Sequence, residues 1–229
     1  MVENLHSLVR DVRTGHRLTE KEAFGLMTAT GRDVLAIAAA ADEIREEKCR
    51  DDVTYVRNQN LHVTNICKNL CGFCGFGRRA GDEGAYCNDK AAIQQKARLA
   101  AGRGVTEICL LSAVHTDFTL QSYLDLLEWV REVVPHVHLH AFSPDEISYA
   151  AERSAVPTRD VLEQLKGAGL GSLQGTAAEI LVDTVRAVIC PKKVGYGRMG
   201  PDHLRGAPPR YSQHGDNHVR IVRIGSRSG

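Results

Sequence analysis

A chain of 229 residues with a formal net charge of +1 is long enough for one well-buried α/β domain or a modest domain with an extension, and its charge points to neither nucleic acid nor an acidic membrane surface as the main partner. No apolar run reaches membrane-spanning length and no short apolar core follows a basic start, so neither a transmembrane helix nor a signal peptide is expected. The seven cysteines, at 49, 67, 71, 74, 87, 109 and 190, are odd in number and follow no secretion signal; they read as free or metal-bound thiols in a reducing compartment, by default the cytoplasm.

Residues 1–52 read as a helical segment. Thr19-Glu20-Lys21-Glu22 has the form of a capping box, Gly31 follows the helix it opens, and a second helix is expected over 33–48. From 53 to 191 strands and helices alternate. Tyr55 to Val63 reads as a strand, and Asp89 caps a helix ending at Gly102 or Gly104. Glu107 to Ala113 is a short apolar strand, and Leu120 to Val134 an amphipathic helix. Val137 to Phe142 is a third strand, and Ser143-Pro144-Asp145-Glu146 caps and opens the next helix. A helix over 158–166 is stopped by Gly167 and Gly169. A fourth strand is expected at Leu170 to Leu173, and Thr176-Ala177-Ala178-Glu179 caps a helix reaching about Ile189.

Strands separated by helices imply βαβ units and a parallel sheet. Right-handed crossovers would curl four such units into half of a (β/α) barrel, with the chemistry on loops after the strand C-termini. Residues 192–229 differ. They hold seven Gly, three Pro, eight Lys plus Arg and two acids, and the composition predicts an irregular, largely disordered tail in which Val219 to Ile224 alone suits an edge strand. Eight positive charges would allow nucleic acid to bind, but Tyr196 and Tyr211 are the tail's entire aromatic complement, which argues against it.

The stretch Cys67-Lys68-Asn69-Leu70-Cys71-Gly72-Phe73-Cys74 follows the first expected strand directly. Three thiolates spaced C-x3-C-x2-C on one loop suit three corners of a four-iron four-sulfur cluster and leave the fourth iron without a protein ligand. An open metal position is the mark of a catalytic site. A structural zinc with His62 or Cys87 as fourth ligand is the competing reading, and three buried cysteines of no chemical role a further one. His136, His138 and His140 alternate and so share one face of a strand, too widely spaced to hold one small ion easily.

The cysteine loop resembles that of the radical S-adenosylmethionine (SAM) superfamily. The stretches VTYVRNQNLHVTNICKNLCGFCGFGRR (53–79), HVHLHAFSPDEI (136–147) and AGLGSLQGTAAEILVDTVRAVICPKK (168–193) are similar to the tyrosine-using half of FO synthase. The likeness runs from about residue 17 to 193. Its abrupt end suggests a truncated or frame-shifted product and a poor catalyst.

The resemblance implies a partial barrel of the radical SAM type with a 4Fe-4S cluster on Cys67, Cys71 and Cys74, and SAM as second cofactor. It implies L-tyrosine and 5-amino-6-(D-ribitylamino)uracil as substrates in deazaflavin (coenzyme F-420) biosynthesis, an electron donor protein, and the other half of FO synthase as a partner. Phe73, Gly175, Thr176 and Glu179 become candidate cofactor contacts, and His140 a candidate substrate contact. Aminofutalosine synthase, of menaquinone biosynthesis, shares the cysteine loop and is the alternative within the superfamily. A non-catalytic cluster- or zinc-binding fragment is the alternative outside it. Ser112-Ala113 stand where the family has a glycine pair, so two Cβ atoms are expected to stand in the way of a close ligand approach. Gln174 replaces a usual proline.

Overall fold

The computed structural model describes residues 5–175, 180–195 and 221–222. In chain order its elements are α1 (Leu5–Arg13), α2 (Glu20–Met27), α3 (Arg32–Cys49), β1 (Val53–Thr54), β2 (Asn58–His62), α4 (Lys90–Gly102), β3 (Glu107–Leu111), α5 (Leu120–Arg131), β4 (His138–Ala141), α6 (Pro144–Ser154), α7 (Thr158–Gly167), α8 (Asp183–Ile189) and β5 (Ile221–Val222). They fall into two units, one of Met1–Tyr55 with Arg220–Gly229 and one of Val56–Val219. No single described helix is long and apolar enough to cross a membrane.

In the first unit, Thr19 closes the expected capping box. Its backbone N–H donates to Glu22 Oε2 at 2.7 Å, and its side chain accepts from the Glu22 N–H at 3.3 Å. Arg13 of α1 reaches Glu43 and Glu47 of α3 at 2.6 and 3.5 Å. These ends are exposed, so the pairs add little beyond the burial of Leu8 and Ala40. β5 pairs antiparallel with β1, Val53 opposite Val222 and Thr54 opposite Ile221. Apart from 192–195 and this pair, the tail expected to be irregular lies outside the described residues.

The second unit is built on a parallel sheet in the order β2-β3-β4, with Leu61, Leu110 and Ala141 in register. Side chains alternate across it. Leu61, Ile108, Leu110, Leu139 and Ala141 point to one face and form a closed core with Ile93, Tyr123, Leu127, Ile147, Val161 and Leu165 of α4 to α7. The opposite face carries Asn58, Asn60 and His62, then Glu107, Cys109 and Leu111, then His138 and His140. The helix-covered outer face is thus apolar and the inner face largely polar.

Two expectations need correction. The fourth strand is reduced to a single parallel bridge between Ser172 and His140, although the Gly171 and Ser172 N–H groups both donate to Leu139 O and the Ala141 N–H donates to Ser172 O. Arg131 and His138 crowd the glycines on either side of Leu170, as described below. The helix expected from Thr176 starts at Asp183, after non-helical residues 180–182. The box at 176–179 lies outside the described residues.

Candidate active site

A cavity of about 400 Å³ opens over the C-terminal ends of the three strands. The loop after β2 supplies Cys67, Asn69, Leu70, Cys71, Phe73 and Cys74. The loop after β3 supplies Ser112 and Ala113, and the start of α6 supplies Ser143, Asp145 and Glu146. Gln174 and Lys193 close the far side. All three predicted cluster cysteines therefore face one space, with Cys71 buried, Cys67 half-buried and Cys74 exposed. Phe73 lies among the same walls, 48% exposed.

The cysteine loop is held from several sides. The Cys67 N–H donates to Arg78 O at 3.0 Å, the Lys68 N–H to Val114 O at 2.9 Å, and the Gly72 N–H to Ile189 O at 2.8 Å. Lys68 Nζ sits 4.5 Å from the centre of the Tyr149 ring. Leu70 takes a φ of 44°, Ala113 one of 52° and Phe142, next to the Ser143 wall, one of 62°. Non-glycine residues in the left-handed region store steric strain, and such strain gathers at functional sites. Ala113 thus meets at a cost a backbone conformation that glycine would adopt freely.

Two carboxyls line the cavity. Glu146 Oε2 accepts from the Ser143 N–H at 2.6 Å and from Ser143 Oγ at 2.7 Å, while Ser112 Oγ donates to Oε1. The capping glutamate of α6 thus also ties the ends of β3 and β4 together. Burial raises its pKa against the pull of those donors. Asp145 Oδ1 accepts from Asn69 Nδ2 at 3.5 Å and from the Val194 N–H at 2.9 Å. Gln174 donates from Nε2 to Leu110 O at 2.6 Å and to Cys109 Sγ at 3.2 Å.

No three His, Cys, Asp or Glu side chains among the described residues are grouped to hold one metal ion. Three cysteines of one loop, all lining one cavity, are the kind of donor set that would hold a four-iron cluster. Asn69, between the first two cysteines, has a buried Oδ1 with no hydrogen bond. Burial pushes the Cys71 thiol up to about 11, Lys193 pulling it back and Cys190, Cys67 and Asp145 adding to the rise. A thiol held protonated in this way gives up a proton on binding a metal.

Other candidates fall elsewhere. His140 is half-buried on the inner face and is not a cavity wall; its Nδ1 lies 2.7 Å from Ser172 Oγ, which is also 2.8 Å from His138 Nε2. His136 precedes β4, so the histidine row has two members. Gly175 is exposed beside Gln174, and Thr176 and Glu179 lie outside the described residues. Cys87 is exposed and away from the cavity, whereas His62 lines it. Ser112, Glu146 and Lys193 were missed as site residues, because no local motif separates them from a loop, a cap and a surface lysine.

No known protein-family profile matches the chain. Among curated proteins, it is 54% identical over 193 residues to the 5-amino-6-(D-ribitylamino)uracil–L-tyrosine 4-hydroxyphenyl transferase of Methanoculleus marisnigri, covering 84% of this chain and 53% of that protein. It is 54% identical over 194 residues to the same-named protein of Methanosphaerula palustris, covering 85% and 53%. The chain thus spans about half the length of the curated relatives it matches. Among solved structures, methylornithine synthase (PylB) aligns with a TM-score of 0.61 at 16% identity, covering 89% of this chain and 55% of that one. The hydrogenase maturase HydG aligns at 0.63 and 16%, covering 87% and 40%. The chain has a partial (β/α) barrel fold shared with these solved structures and, over the stretch it has in common with them, resembles the curated 4-hydroxyphenyl transferases.

Proposed function

We propose that this chain carries the cluster-binding half of a radical SAM transferase that cleaves L-tyrosine and passes its 4-hydroxybenzyl group to 5-amino-6-(D-ribitylamino)uracil. The observation that carries the reading is the cavity into which Cys67, Cys71 and Cys74 all face, at the strand ends where an α/β barrel keeps its chemistry. The relatives' name supplies the substrates. A four-iron cluster with SAM would supply the hydrogen-abstracting radical. The three cysteines would hold the cluster and Phe73 would cover part of it. Ser112 and Ser143, fixed by Glu146, present hydroxyls at the strand ends to orient a polar ligand. Gly175 and the box at Thr176 and Glu179 complete the SAM contacts, and His140 supports the substrate side from the inner face. Functionally we divide the chain into a helical segment (1–52), a partial barrel (53–191) and a tail (192–229), working in the cytoplasm with an electron donor protein and the other half of FO synthase.

Anaerobic reconstitution with iron and sulfide tests this. We expect about four irons per chain, unchanged in Cys87→Ala and lost in Cys71→Ala. With reductant and SAM, 5′-deoxyadenosine formation should rise when tyrosine and the ribitylaminouracil are added. Stoichiometric zinc without sulfide would refute the cluster, and a response to a menaquinone precursor in place of tyrosine would move the assignment to aminofutalosine synthase.

A further inference from the structure

The segment after α8 crosses the cysteine loop and is anchored along its length. Ile189 O accepts from the Gly72 N–H at 2.8 Å, and Lys192 Nζ donates to Lys68 O at 3.2 Å. The Lys193 N–H bonds Cys190 O at 3.0 Å, and the Val194 N–H bonds Asp145 Oδ1 at 2.9 Å. Arg186, 4% exposed, ties the far end of the turn to the chain before α8, donating to Val194 O at 2.6 Å and to Ile180 O at 3.0 Å. Between these anchors Lys193 is directed to the cavity, with Nζ 5.4 Å from the centre of the Phe73 ring. It is the only lysine or arginine among the described cavity walls. Five of these bonds engage residues 189–194 themselves.

We propose that residues 189–194 form a strap that fixes Lys193 as a standing positive charge on the cysteine loop, raising the reduction potential of the cluster held there. The inference rests on reading that loop as a cluster cradle. Adding an electron to a cluster adds negative charge, so a fixed cation nearby stabilises the reduced state more than the oxidised one. Asp145 stands on the same wall with the opposite sign, its Oδ1 bonded to Asn69 and to the strap's own backbone, so the expected shift is that of removing the Lys193 charge alone.

The test is a redox titration of the reconstituted protein followed by electron paramagnetic resonance, with iron content measured in parallel. Lys193→Gln should keep its iron and move the midpoint to more negative potential by about a tenfold change in the reduction equilibrium, ~59 mV for one electron. Lys193→Arg should stay near the unmodified protein, and Arg186→Met, which frees the strap, should shift in the same direction as Lys193→Gln. A Lys193→Gln midpoint equal to that of the unmodified protein would overturn the proposal, including the case where the variant instead binds SAM more weakly. If the unmodified chain takes up no iron and sulfide, the cradle reading itself fails, which the iron count separates from failure of the strap.

Discussion

Replacing Gly171 with alanine should loosen the inner face by a definite and recoverable amount. A Cβ at this position would lie 2.4 Å from His138 Cε1, 2.6 Å from Nδ1 and 3.0 Å from Nε2, closer than real side chains approach. The His138 ring cannot swing away freely, because Nε2 lies 2.8 Å from Ser172 Oγ and 3.8 Å from Glu107. Giving up the serine bond costs about 0.5–1.5 kcal/mol, and an off-rotamer ring costs about as much again. Gly171→Ala should therefore lose about 1–3 kcal/mol of stability. Removing the ring first removes the clash, so in a His138→Ala background the same substitution should cost less than about 0.5 kcal/mol. Urea unfolding of the four proteins gives the coupling directly, with a difference of about 1–2 kcal/mol expected. Equal costs of Gly171→Ala in the two backgrounds would show that the ring is not what keeps position 171 small.

Ala113, at φ 52°, should tolerate glycine and reject valine. Relief of about 1–2 kcal/mol of left-handed strain offsets glycine's added chain entropy of about 0.5–1 kcal/mol, so Ala113→Gly should be neutral to slightly stabilising by thermal unfolding. Ala113→Val should lose more than 1 kcal/mol, roughly the strain term itself; a valine more stable than glycine there would contradict the backbone reading. Because burial raises its pKa, Glu146 holds its proton more tightly folded than unfolded. Its contribution is full below the ordinary carboxylate range and falls as pH rises through the raised value. Unmodified protein should therefore lose stability relative to Glu146→Gln over that window, and an opposite slope would refute the assignment. Arg186→Met should expose the chain near Lys192 and Lys193 to trypsin well before the rest of the barrel is cut; unchanged cleavage there would remove the strap's anchor from the account.

The alternation of strands and helices was legible in part because three helices carry their own start: Thr19, Asp89 and Ser143 all cap as their sequences say. The cysteine loop was legible because its chemistry is written in spacing. What the sequence did not disclose depends on partners far along the chain. The bond from Ser112 to Glu146 joins positions 34 residues apart, and the donation from Lys192 to Lys68 spans 124. The fourth strand is shortened to one parallel bridge with β4, and the space beside Gly169 and Gly171 is taken by Arg131 and His138, which the local sequence does not disclose. His140 drew attention as a polar residue on a barrel strand, and its place below the cavity follows from register, which a single strand's pattern does not fix.

The shared carboxylate at the strand ends has an evolutionary corollary. Glu146 serves a local cap and a distant hydroxyl at once, so positions 112 and 146 are not free to drift independently. A lineage that loses the serine leaves one oxygen of a buried acid without its donor, a penalty of about 1–3 kcal/mol. A lineage that loses the acid strands two serines. Substitutions at these two sites should therefore appear together in a tree of related chains, with glutamine or a water-sized gap at one matched by a change at the other, even where everything between them varies.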